Sequence, residues 1–143
     1  MDMDDTSKLY IITVSLSIVL LLILCVNHLT ALDQLWIYSV LFTQALFVVA
    51  LKNNKRNVLH VIHCLIFIFP VVSILTNNVL IKLASILVII VIQTLWVHEK
   101  RCILNRKDES FGYGNVLNIC LIVFTPALSL HVGYELSKFN YGA

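Results

Sequence analysis

Histidine and cysteine are the residues in this chain best suited to ligand chemistry. His60 and His63 stand three apart and therefore share one face of a helix. His98 and Cys102 lie near the same predicted membrane side, so the four together have the makings of a His/Cys metal site. His28 and His131 fall on the opposite side, and histidine pairs at two depths also match a two-haem membrane cytochrome, in which each iron takes one His from each of two helices. All of these histidines sit at the ends of apolar runs, where hydrogen bonding to headgroups or neighbouring helices is their ordinary role. We therefore expect no metal and no cofactor.

Other candidates fare similarly. Phe111-Gly112-Tyr113-Gly114 contains the GYG of a potassium filter, but its lead-in, Lys107-Asp108-Glu109-Ser110, cannot offer the stacked carbonyls a filter needs. Glycines before a helix more simply give a turn. Asn115, Asn118, Thr125 and Ser129 fall on one helical face, with Pro126 able to bend it, and Lys82, Ser85 and Gln93 form a second stripe. Such stripes line a water path or hydrogen-bond between helices, and we adopt the packing reading. No predicted span holds an Asp or Glu at depth, so the parts of a proton-coupled transporter or an intramembrane acid–base enzyme are missing. Cys102, beside Lys100 and Arg101, is a candidate for reversible palmitoylation, with an unmodified thiol as the alternative. Cys25, Cys64 and Cys120 lie in apolar runs as small hydrophobes, and no C-x-x-C pair is present.

The elements that must position these residues are membrane helices. The chain of 143 residues is 59% hydrophobic and 13% charged, against about 25% charged in soluble domains. Five apolar runs, 9–26, 35–51, 58–75, 79–97 and 115–134, each reach the roughly 17–25 residues that cross a bilayer. Lipid offers backbone groups no outside partner, so each run should be helical despite its β-branched residues. The fold expected is an all-α, polytopic membrane helical bundle of five transmembrane helices in a single membrane domain, 1–143. The acidic start, MDMDDTSK, lacks the basic n-region and cleavage site of a signal peptide, so the first run reads as a retained span. Asp2 in place of Gly excludes N-myristoylation.

Charge sets the orientation. Lys8 precedes the first run, Lys52, Lys55 and Arg56 follow the second, and Lys100, Arg101, Arg106 and Lys107 follow the fourth. The alternate links, 27–34 and 76–78, hold no Lys or Arg; Lys138 is in the tail, and Lys82 is read as snorkelling from the start of span four. The positive-inside rule then puts the N-terminus in the cytosol and the C-terminus on the opposite side. Tyr10, Trp36, Tyr38, Trp96, Tyr113 and Tyr134 lie near run ends, where interfacial anchors belong. The net charge of +2 is too small to suggest nucleic-acid binding.

The one long hydrophilic stretch is the loop 98–114. Its text, with the preceding Leu95 to Val97, is LWVHEKRCILNRKDE as far as Glu109. An aromatic residue ends a span, polar residues intervene, and Cys102-Ile103-Leu104 and Glu109 follow. The pattern is similar to one in small multi-span membrane proteins of large double-stranded DNA viruses. That family usually has His directly before Trp, whereas Leu95 precedes Trp96 here and His98 follows. The likeness covers about fifteen residues. It implies a virion membrane protein without known chemistry, of the minor-capsid type that ties a shell to an internal bilayer.

The function expected is a structural membrane-anchored adaptor, not an enzyme. Lys100, Arg101, Arg106, Lys107, Asp108 and Glu109 would contact a soluble or capsid protein through mixed charges. Self-association into a homo-oligomer is a second expectation. The alternatives are a small oligomeric channel or transporter lined by the polar stripes, and a haem-binding redox protein using the paired histidines.

Overall fold

The computed structural model describes residues 3–26, 28–99 and 113–141. They form five helices, α1 (Met3–Val26), α2 (Ala31–Lys52), α3 (Arg56–Val72), α4 (Val79–Glu99) and α5 (Tyr113–Tyr141), with a 3₁₀ turn, Ser73–Leu75, after α3. No strand occurs among the described residues.

The helix boundaries follow local chemistry. Thr30 and Asp33 form a reciprocal capping box at the start of α2: the Asp33 N–H donates to Thr30 Oγ1 at 3.3 Å and the Thr30 N–H to Asp33 Oδ2 at 3.1 Å. The far end of α2 closes as a Schellman motif. Asn54 takes a left-handed backbone, φ 50°, which Asn tolerates better than most residues. The Lys55 N–H then reaches Ala50 O at 3.0 Å and the Asn54 N–H reaches Leu51 O at 3.2 Å. Pro70, in the last turn of α3, offers no N–H, and the chain beyond it tightens into the 3₁₀ turn. Ser73 Oγ donates to Pro70 O at 2.6 Å, and Ser73 O accepts both the Thr76 N–H at 3.1 Å and Thr76 Oγ1 at 2.6 Å. Asn78 Oδ1 caps α4 by accepting the Leu80 N–H at 2.9 Å.

Helices α1 to α4 pack in a ring, α1 against α2, α2 against α3, α3 against α4 and α4 back against α1, while α5 lies outside the ring on α3 and α4. Three apolar clusters hold this arrangement. Leu9, Phe47, Ala50, Leu51, Leu59 and Ile62 close one end. Leu20, Ile23, Trp36, Ile37, Val40, Ile81 and Ala84 close the other. Phe67, Ile89, Leu128 and Val132 fasten α5 to α3 and α4. The start of α1 therefore meets the end of α2, and the start of α4 meets the end of α1, so successive helices of the ring run antiparallel.

The outer faces are as apolar as the core. Ile11, Ile18, Leu22, Phe42, Val49, Ile68, Ile90, Val123 and Leu130 are all exposed. Helices apolar all round belong in lipid. Three stretches, Thr6–Cys25, Ala31–Lys52 and Val79–His98, are long and apolar enough to cross a membrane by length and composition, and Cys64–Leu75 is a shorter apolar helix. Trp36 departs from the expected interfacial position: it is buried, its Nε1 donates to Phe69 O at 3.2 Å, and its ring meets the Phe69 ring edge-on at 6.1 Å.

Candidate functional site

The polar groups that the fold gathers lie at the end of the bundle where α1 and α3 finish, α2 and α4 begin and α5 ends. Lys82 stands one turn into α4, and its side chain is 1% exposed. A buried ammonium must find partners, and the antiparallel run of α5 along α4 supplies them from the last turns of α5. Lys82 Nζ donates to Glu135 Oε1 and Oε2, both at 2.7 Å, and lies 3.3 Å from His131 Nε2. An ammonium only donates, so the imidazole accepts through Nε2 and carries its ring proton on Nδ1. His131 and Glu135 are four residues apart on one face of α5, with Nε2 to Oε1 at 3.4 Å. All three Lys82 protons are thereby used. Glu135 keeps 26% of its side-chain surface exposed and His131 keeps 37%, so the cluster is closed on the lysine side and open on the other.

A second buried charge braces the same end. Asp33 is 1% exposed. Its Oδ2 accepts from the Thr30 N–H and from Thr30 Oγ1 at 2.8 Å, and its Oδ1 accepts the Asn77 N–H at 2.9 Å. One carboxylate thus starts α2, where the helix dipole favours it, and pins the turn between α3 and α4.

One expectation needs correction. Lys82 does not snorkel to the surface, because Glu135 meets it inside the bundle. The acid was missed because the predicted fifth span stopped at residue 134, whereas α5 continues to Tyr141. A buried lysine in an apolar helix was the available signal, since such a charge requires an anion.

The predicted site residues are distributed as follows. Lys100, Arg101, Arg106, Lys107, Asp108 and Glu109, with Cys102, Phe111 and Gly112, lie outside the described residues. Tyr113 and Gly114 open α5 in helical conformation. His60 and His63 fall in the first turns of α3, with their side chains outside the description, and His98 and His28 are exposed. His131 Nε2 accepts from Lys82 Nζ. Among the described residues no group of three or more His, Cys, Asp or Glu is placed to hold a metal ion. Of the polar stripes, Ser85 is buried and turns its hydroxyl back to Ile81 O at 3.0 Å. The cluster can clamp α5 to the ring, and its geometry contains a cation, a carboxylate and an imidazole in mutual contact. No family model, curated protein or solved structure matches the chain.

Proposed function

We propose that the chain is a five-span integral membrane protein that serves as a structural adaptor, with its N-terminus and the loop 98–114 in the cytosol. In this reading Lys100, Arg101, Arg106, Lys107, Asp108 and Glu109 dock on a soluble protein, and we assign the chain no catalytic step. The viral resemblance of that segment makes a capsid protein the specific partner proposed and a virion membrane the proposed location.

The observation that carries the proposal is the unequal use of charge at the two ends of the bundle. Asp33, Lys82, Glu135 and His131 at one end are spent on contacts within the chain. At the other end Lys52 and Lys55 are exposed, and the hydrophilic segment between α4 and α5 adds four basic residues, Lys100, Arg101, Arg106 and Lys107. Exposed mixed charge steers and orients a protein partner.

Cross-linking mass spectrometry on native membranes, through Lys100 and Lys107, tests this. The expected result is abundant links to one soluble protein, lost on reversing the charge of Arg101, Arg106 and Lys107 together. Links confined to other copies of this chain, or co-purification untouched by the reversal, would overturn the adaptor reading.

A further inference from the structure

The ring of four helices surrounds a partly open cavity of ≈ 120 Å³ that runs along α1 from Leu9 to Leu20 and along α4 from Ala84 to Trp96. Its wall is largely apolar, with Leu16, Val40, Ile66, Phe69 and Val88 among the lining side chains. Thr13, Thr43 and Ser85 also line it, but each hydroxyl donates to the carbonyl four residues back in its own helix. Gln44 is different. It is 8% exposed and lines the cavity from the middle of α2. Its Oε1 lies 2.6 Å from Ser17 Oγ on α1, and its amide nitrogen has no hydrogen-bond partner among the described residues.

The Ser17 hydroxyl has one proton and two acceptors in reach, Thr13 O at 2.9 Å and Gln44 Oε1 at 2.6 Å. If the proton goes to Gln44, both amide N–H groups remain open. If it goes to Thr13, the Gln44 amide turns over to donate one N–H to Ser17 Oγ, and one N–H and Oε1 remain open. Either orientation leaves two unmet hydrogen-bonding positions on a buried amide, which is unfavourable in an apolar interior. A water in this space would need two to four polar partners, and the wall beyond Gln44 is short of them.

We propose that this cavity binds a small, mainly apolar molecule carrying one hydroxyl group, an aliphatic or aromatic alcohol, with Gln44 as its hydrogen-bond anchor. A hydroxyl accepts from the amide N–H in both orientations and donates to Oε1 in the second, so it meets the amide whichever way Gln44 turns. The volume fits the class: an engineered apolar cavity of about 150 Å³ in another protein holds benzene.

The chain's only two tryptophans, Trp36 and Trp96, both line the cavity and report on its contents. The experiment titrates the full-length protein in detergent micelles with 4-bromophenol and with bromobenzene, reading bromine quenching of tryptophan fluorescence. Saturable quenching is expected from both, with 4-bromophenol about five- to tenfold tighter, the ratio one hydrogen bond supplies. Gln44→Leu should erase that preference and keep bromobenzene binding. Ala84→Leu, which adds bulk to a lining position, should abolish saturation by both. Quenching that rises linearly for both probes, as simple partition into the micelle or a water-filled space would give, overturns the proposal. So does equal affinity of the wild-type chain for the two probes, a comparison that needs no variant to fold.

Discussion

Lys82 holds its ammonium inside the bundle, 1% exposed, on a carboxylate that a distant helix supplies. A lysine near the start of an apolar run ordinarily reaches for the interface, and nothing within one turn of it carries a negative charge. Its partner is Glu135, fifty-three positions away. Pairing at that separation leaves no local trace, and hydropathy cut the fifth run one residue before the acid. The candidate site was therefore legible only as half of a pair. Asp33 was more legible, because Thr30 and Asp33 at capping-box spacing announce a helix start, though its reach to Asn77 was not. Breaking the buried pair from one side leaves the other charge stranded. Glu135→Gln should destabilise the purified protein by about 3 kcal/mol, the low end of the range for buried pairs because the carboxylate is partly exposed. Lys82→Met with Glu135→Leu should recover most of that loss, measured by unfolding in mixed micelles. A double variant less stable than either single one would show that the pair stabilises the bundle beyond the demands of its own charges.

At the scale of the helices the sequence was far more readable. The five apolar runs all appear as helices, the third ending in a 3₁₀ turn, because a 3.6-residue repeat of backbone bonding satisfies the amides of a long oily segment from within. The helices overrun the runs at polar ends, α1 beginning at Met3 and α5 ending at Tyr141, since hydropathy measures solvent preference and not where hydrogen bonding stops. The inward turn of Trp36 was hidden for a related reason: a run-end aromatic can face headgroups or the next helix, and only packing against Phe69 decides. Cys64 on α3 and Cys120 on α5 are both free and exposed on outer faces, which makes them reporters of the five-span proposal. A membrane-impermeant maleimide should leave both unlabelled in sealed or broken membranes and react only after detergent. Prompt labelling of either in broken membranes would place that helix at the surface and remove it from the set of spans.

The molecule as a whole is a closed ring of four helices with a fifth applied from outside. The ring has its own two apolar clusters, built from α1 to α4 without any residue of α5. It can therefore close while the last helix is still being synthesised. During that interval Lys82 faces the flank of the ring with neither Glu135 nor His131 to receive its protons. The fifth helix is thus a late signature of completion, and a chain that ends early leaves the Lys82 ammonium without its carboxylate. A chain stopping at residue 112 should be degraded several-fold faster than the full chain in a pulse-chase, and Lys82→Met within the shortened chain should restore its lifetime. Equal lifetimes with and without that lysine would mean the charge is not what marks the unfinished protein. On this view the lysine acts as a timer on biogenesis as well as a strut: the same contact that fastens the last helix also certifies that translation reached it.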